Sequence, residues 1–178
     1  DVLGHTGGLT LEYKLGKFRF TPQARLKIEN ERLSYNRARI DTIAHRTNVL
    51  PEYEAKIEYL KSWNDRIVFT ASYEKTACKL EDQMAYTDDS NPLYIYYGNP
   101  LLRDSRKANY NLNYQKTITK AQLMLNANIS LTQNYNATGF ATIYDPTTGV
   151  TRSQRENVKG GHSWIGTTTA EWMATSKI

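Results

Sequence analysis

Asn91-Pro92-Leu93-Tyr94-Ile95-Tyr96-Tyr97-Gly98-Asn99-Pro100-Leu101-Leu102, followed by Ala108-Asn109-Tyr110-Asn111-Leu112-Asn113-Tyr114, holds the two kinds of signal from which this chain is built. The first part is a loop bracketed by two Asn-Pro pairs, with Gly98 between them. Proline fixes its own φ and pushes the preceding residue towards extended or turn geometry, so Asn91 and Asn99 read as corners. The second part alternates. Ala108, Tyr110, Leu112 and Tyr114 point one way and the three asparagines the other, which predicts a strand with one apolar and one polar face.

The same period of two recurs along the chain. After Gly7-Gly8, read as a turn or bulge, Leu9, Leu11, Tyr13 and Leu15 alternate with polar residues up to a Gly16-Lys17 corner. Phe18, Phe20, Ala24, Leu26 and Ile28 then alternate with Arg19, Thr21, Gln23, Arg25 and Lys27. Pro22 lies on the apolar side and has no N–H to donate, which points to an edge strand or a bulge. Thr21-Pro22 also fits a helix N-cap and first turn, with Leu26, Leu33 and Ile40 spaced by seven. Residues 22–44 therefore stay open between strand plus loop and a helix, and the alternation that crosses the proline favours the strand. Residues 31–48 are polar and weakly patterned, and read as a long loop with room for a short helix. Tyr53, Ala55, Ile57 and Tyr59 form the next stripe, with Glu52, Glu54 and Glu58 opposite, where they would line a polar interior. A turn at 63–66 leads to Ile67, Phe69, Ala71 and Tyr73. Beyond the opening strand comes a Lys116-to-Lys120 turn, and then Ala121 to Leu131, the clearest alternation of all. Asp145-Pro146-Thr147-Thr148-Gly149 could cap a protruding hairpin, and a last strand is expected over His162 to Ala174.

Two features suggest lipid around such a sheet. Short connections (near 16, 64 and 118) alternate with long ones (31–48, 77–104, 136–158), as tight turns at one rim and long loops at the other would require. Ala121 to Leu131 spans about 33 Å at ~3.3 Å per residue, or roughly 25 Å in height once tilted by ~40°. Phe18, Tyr59, Trp63, Tyr114 and Trp172 fall near the short turns, and Tyr53, Tyr110, Tyr135 and Trp164 near the long loops, where amphipathic rings favour the two interfaces. Alternation alone does not separate lipid from a packed core, so a soluble antiparallel sheet remains open on pattern.

Composition bounds the function. The 178 residues suit one domain, with 13 Tyr, 4 Phe and a net charge of +5. That charge is spread out, with no basic block or nucleic-acid motif, so no nucleic-acid partner is expected. No stretch has the ~18 apolar residues of a spanning helix. His5, His45 and His162 stand alone, Asp88-Asp89 reads as a solvated pair, and Cys78 has no partner cysteine, so no catalytic site, metal site or cofactor is expected. The chain opens on Asp1 without a signal peptide, and reads as a mature or excised segment.

The loop Ser90 to Leu102, SNPLYIYYGNPLL, resembles the GNP-containing loop of outer-membrane β-barrel proteins of the TonB-dependent receptor type. Its signature positions here are Ser90, Asn91, Pro92, Gly98, Asn99, Pro100 and Leu102. QARLKIE (23–29) and LPEYEAKIEYLKS (50–62) resemble two strands of that family, in the same order. Arg103-Asp104-Ser105 departs from its usual Lys-Pro-Glu, and Lys75-Thr76-Ala77-Cys78 from its usual Arg-Pro. The resemblance implies residence in the cell outer membrane, lipid as a partner, and uptake of a scarce ligand such as a metal chelate or an oligosaccharide. It also implies an energy complex of the TonB type, reached through a plug that lies outside these residues. Ligand contacts are then expected on loop aromatics: Tyr94, Tyr96, Tyr97, Tyr135, Phe140 and Tyr144.

The expected architecture is all-β, an antiparallel up-and-down meander of about seven strands forming part of a transmembrane β-barrel over residues 1–178. Alone it would be an open curved sheet, prone to self-association through unpaired first and last strands. The alternative is a soluble β-rich ligand-binding module, lipocalin-like or carbohydrate-binding.

Overall fold

The computed structural model describes residues 2–37 and 40–172, and the side chains of these outside 35–42. In chain order the elements are β1 (Val2–Thr10), β2 (Tyr13–Leu15), β3 (Phe18–Arg37), β4 (Ile40–Ser62), β5 (Asp65–Thr76), α1 (Leu80–Gln83), β6 (Thr87–Asn91), β7 (Tyr94–Tyr97), β8 (Ser105–Ile118), β9 (Leu123–Tyr135), β10 (Ala137–Asp145), β11 (Val150–Val158) and β12 (His162–Trp172). The main sheet runs β1-β3-β4-β5-β8-β9-β12, with β2 also on β3. Every pairing in it is antiparallel. β1 and β2 share one register on β3 and act as two halves of one strand, so the expected seven-strand meander is what forms.

Pro22 explains the break between those halves. Leu11 N–H donates to the Pro22 carbonyl at 3.0 Å, but proline has no N–H to return, so the ladder lapses for one step. Neither the edge position nor the bulge that was expected is found: β3 lies between β1 and β4, and its register runs through Pro22 without a shift. Gly7 and Gly8 also sit inside β1, opposite Leu26 and Arg25, rather than at a turn.

The largest departure concerns residues 31–48. Among the described residues there, 31–37 and 40–48, none is loop or helix; β3 and β4 continue through them as paired strands, from Phe18↔Tyr59 to Arg37↔Ile40. At ~3.4 Å per residue, the 20 residues of β3 extend ~68 Å. That far exceeds what a hydrocarbon layer needs, so the hairpin stands well clear of the apolar band. β9 also starts later than expected. Ala121 ends a 3-10 turn, Gln122 is left-handed at φ 51°, and the strand begins at Leu123. Of the expected last strand, Met173 and Ala174 lie outside the described residues.

Register builds the faces. One row across the sheet reads Tyr13, Phe20, Ile57, Phe69, Leu112 and Ile129, so the alternating stripes merge into one apolar surface. The row nearer the short turns carries Phe18, Tyr59, Ile67, Tyr114 and Ala127. Further from them, Tyr53 and Tyr73 face each other with ring centroids 6.1 Å apart, while Phe18 and Tyr59 rings lie 4.8 Å apart. Aromatic pairs thus mark both margins of the apolar band.

Burial is inverted relative to a soluble sheet. On β3 the apolar Pro22, Ala24, Leu26 and Ile28 are exposed, whereas Thr21, Gln23, Lys27 and Glu29 on the other face are half-buried. Among buried residues is Glu58, 3% exposed, while Leu112 and Ile129 remain 42% and 51% exposed. The sheet therefore curls around its polar face and turns its apolar face outwards. On the outward side of β8, Lys116 and Arg106 bracket a charge-free run; at ~3.4 Å per residue they stand ~34 Å apart, or roughly 26 Å in height at a tilt of ~40°. That is the height of a lipid-facing band, and Leu112 sits near its middle.

The short turns share one rim, as expected. Leu60 N–H reaches the Lys17 carbonyl at 2.9 Å, and Thr117 N–H reaches Asn64 at 2.8 Å, tying neighbouring turns together. At the opposite end a second sheet forms, ordered β10-β11-β7-β6. β11 and β7 are parallel and the other pairs antiparallel. The Asp145-Pro146 corner caps the β10–β11 hairpin, with Thr147 N–H donating to Asp145 Oδ1 at 2.9 Å.

Candidate functional site

The site begins with the two Asn-Pro corners. Asn91 Oδ1 accepts from Leu93 N–H at 3.1 Å, and Asn99 Oδ1 accepts from Leu101 N–H at 3.0 Å. Each asparagine thus closes a turn around its proline, which cannot compete for the bond. Asn99 also donates through Nδ2 to the Arg155 carbonyl at 2.8 Å, and its own N–H reaches the Asp82 carbonyl at 2.7 Å. Ser90 bonds back to Asp88, and Leu102 is 2% exposed. Ser90, Asn91, Pro92, Asn99, Pro100 and Leu102 therefore hold the segment in shape rather than present groups to a ligand.

Gly98 has a separate reason. A Cβ there would lie 1.8 Å from the Met84 carbonyl oxygen and 2.9 Å from the Tyr86 ring. Gly98→Ala is expected to cost about 1–3 kcal/mol, the range for forcing an extra carbon into a packed site. Proteolysis should then open residues 84–99 first; an unchanged cleavage pattern would show that the loop has slack.

This segment does not hang free of the main sheet. Arg46, on the polar face of β4, donates to Gln83 Oε1 at 2.7 Å and to Glu31 at 2.8 Å, and its guanidinium also bonds the Cys78 carbonyl. α1 lies against β3. Leu50, Cys78, Leu80 and Leu102 are buried. Leu50, an apolar interruption of the polar face, belongs to the few buried apolar groups at this end. Residues 77–104 thus fold inwards over the polar face at the long-loop rim. Asp104 pins the base, pairing with Lys75 at 2.8 Å and accepting from Cys78 N–H at 3.2 Å. Burial pushes its carboxyl up, but these partners outweigh burial and hold it below the usual carboxylate range.

That depression fixes a pH dependence. A carboxylate whose folded pKa is lowered stabilises the fold above its unfolded pKa of ~3.9, and the contribution fades as pH falls through the folded value. Asp104→Asn should therefore lower Tm at pH 7, and the difference from wild type should shrink as pH falls below the unfolded pKa of ~3.9. A pH-independent difference would assign the loss to packing alone.

The six loop aromatics separate. Tyr96 donates from Oη to Asp82 at 2.8 Å and lies against Tyr86, ring centroids 6.0 Å apart. Burial, with the Asp82 bond second, pushes its phenol well up, so it stays neutral. Tyr94, Thr151 and Tyr144 form one row across the second sheet, with both tyrosines exposed. Phe140 lies on the same face, and the Arg155 guanidinium sits 4.0 Å from its ring centroid. Between them Ser153 is buried, paired with Tyr96 in the neighbouring strand and within hydrogen-bond distance of Thr142, while Tyr96 and Arg155 both engage Asp82. Tyr97 occupies the opposite face of the second sheet, alternating with Tyr96. Tyr135 ends β9 in the main sheet, opposite Arg106. The structure thus gathers Tyr94, Phe140 and Tyr144 into one platform and puts Tyr97 and Tyr135 elsewhere.

Below this rim the polar face carries charge on one side. Glu58 receives Arg19 at 3.3 Å, Lys56 at 3.0 Å and Arg66. Arg46, Asp82 and Arg155, the hub of the rim, were not legible as site residues. Their partners lie 14 to 37 residues away in some cases, and no local pattern marks them.

A family model described as Outer membrane protein beta-barrel family matches residues 7–178. No curated protein matches the chain.

Proposed function

The chain belongs to the outer membrane protein beta-barrel family, and from that premise we propose that it forms wall and mouth of a ligand-importing receptor of the TonB-dependent type. Its place is the outer membrane, with lipid against the apolar face. The soluble-module alternative is set aside by that membership and by the exposed apolar face. The observation that carries the import reading is the inward fold of residues 77–104, pinned by Arg46 over the polar face. A barrel that only anchors has no need of an ordered rim turned over its interior. Tyr94, Phe140 and Tyr144 are the surface on which a scarce ligand, a metal chelate or an oligosaccharide, would first land. The role is binding and passage without a chemical step. Energy would come from a TonB-type complex through a plug outside these residues.

Uptake by energised cells tests this reading. A protonophore should abolish accumulation of the ligand while leaving surface binding intact, and Tyr94→Ala with Tyr144→Ala should weaken that binding. Accumulation that continues without the proton gradient would contradict it.

The isolated 178-residue chain should also associate with itself. Among the described residues β1 and β12 pair with β3 and β9 but not with each other, which leaves two open strand edges beside a bare apolar face. Sedimentation in detergent-free buffer should show oligomers; a monodisperse monomer would count against the exposed edges.

A further inference from the structure

The second sheet has two edges, and they differ. β6 forms one of them: it is five residues long, carries Asp88 and Asp89, and shifts its register between Asp88 and Asn91. Shortness, charge and irregular register are means by which an edge strand avoids pairing with another chain. β10 has none of them. Its nine residues, Ala137-Thr138-Gly139-Phe140-Ala141-Thr142-Ile143-Tyr144-Asp145, run in unbroken register on β11, without proline and without charge before Asp145. Phe140, Thr142, Ile143 and Tyr144 are exposed, so both faces of this half of the strand are open. Its backbone is open too. Thr151 N–H donates to the Leu93 carbonyl at 2.8 Å, which turns the Thr151 peptide towards the β7 side and away from β10. Its partner Tyr144 therefore takes no ladder bond from β11. Paired residues in an antiparallel ladder alternate between bonded and unbonded, so Thr142 and Phe140 follow Tyr144. The N–H and C=O groups of all three point out of the edge, and among the described residues none has a partner there.

From this we infer that β10 pairs with β10 of a second copy of the chain, antiparallel about a two-fold axis at Thr142. That register sets Thr142 opposite Thr142, Phe140 of each copy opposite Tyr144 of the other, and Ala141 opposite Ile143. Edge-pointing residues meet edge-pointing residues, so each free N–H finds a C=O. Hydroxyl meets hydroxyl, ring meets ring and a small side chain meets a large one, the cross-strand pairs that stabilise a sheet. Other registers lose this fit. An axis at Ile143 sets Phe140 opposite Pro146, which has no N–H to give, and an axis at Ala141 separates the rings. Asp145 falls opposite Gly139, so no like charges meet. The exposed Arg152 of β11 lies opposite Ile143, three strand spacings or about 14 Å from its counterpart, beyond the ~8 Å over which exposed charges act. Such a contact closes at two copies and builds no filament. Its axis is normal to the sheet. Copies in one membrane stand the same way up, so the axis is also the membrane normal, and the second sheet lies across the mouth. β6 and β7 belong to the segment folded over the polar face, with β10 at the margin furthest from them.

Disulfide trapping in outer membranes of cells that make the full-length Cys78→Ser protein tests the pairing. Opposite residues of a bonded antiparallel pair stand ~5.5 Å apart at Cα, within the roughly 4.4–6.8 Å that a disulfide spans. Thr142→Cys should therefore give a linked dimer on mild oxidation. Phe140→Cys and Tyr144→Cys should give none when each is made alone, because each then faces the other position's native residue. Made together in one cell, they should give a dimer. Adding Thr142→Lys to both chains of that mixture sets two ammonium groups at the axis and should abolish the dimer. The lysine occupies an exposed position, so heat-modifiable mobility should stay native. No dimer from Thr142→Cys, dimers from Phe140→Cys or Tyr144→Cys alone, or a mixture indifferent to Thr142→Lys would overturn the inference.

Discussion

Leu112→Arg should lower the stability of the bilayer-embedded protein by about 2–4 kcal/mol, the cost of a cation near the lipid midplane. Leu112 stands between Phe69 and Ile129 in the outward row, roughly midway between Lys116 and Arg106. Position decides the size of the effect. Leu125, on the same face, pairs with Lys116 near the short-turn rim, where an added charge costs ~0–1 kcal/mol. Asn113→Arg, one residue along but facing inwards, should stay within about 1 kcal/mol, as substitutions at hydrated surfaces do. Urea titration of the reconstituted protein would read all three. Equal losses at 112 and 113 would mean that the two faces see the same medium.

Glu58→Gln should cost about 2–3 kcal/mol. Its side chain is 4% exposed and faces three cations, Arg19, Lys56 and Arg66, that are 39%, 38% and 41% exposed. Removing one partner of a fully buried pair costs about 3–5 kcal/mol. These cations can turn towards water, so the lower figure applies. What remains after the change is three like charges on neighbouring strands. Adding Arg66→Gln should therefore recover part of the loss, and a double-mutant cycle would measure the coupling. A neutral Glu58→Gln would show that the cluster contributes nothing to stability.

How much of this was legible depends on where lipid is. Strands that cross the band must present apolar residues outwards at alternate positions, so Phe18 to Ile28, Tyr53 to Tyr59 and Tyr110 to Tyr114 announce themselves. Above the band that constraint ends. In the continuing hairpin the outward positions become Asn30 and Thr47, and the inward ones Glu31 and Arg46. Both faces are polar, the alternation vanishes, and residues 31–48 read as loop although the backbone of 31–37 and 40–48 stays paired. The second sheet hides for another reason. β7 pairs in parallel with β11, so Tyr94 meets Thr151 from far along the chain. Its short strands carry no stripe, because neither face meets lipid. Tyr96 shows the limit for the site: an aromatic on a loop suggests a ligand contact, but its hydroxyl is held by Asp82. The two asparagine corners were legible, since the hydrogen-bonding demands of turns are local; the reason for Gly98 was not, because the group it must clear is the Met84 carbonyl, well back along the chain.

The central claim is that one face of this sheet meets lipid and the other an aqueous interior. Nitroxide labels at successive positions from Lys107 to Thr117, in a Cys78→Ser background reconstituted into bilayers, test it directly. Collision with oxygen, which concentrates in lipid, should peak at Ala108, Tyr110, Leu112 and Tyr114. Collision with a water-soluble nickel chelate should peak at Asn109, Asn111 and Asn113. Accessibility without a period of two, or with the two reagents' maxima exchanged, would contradict the account.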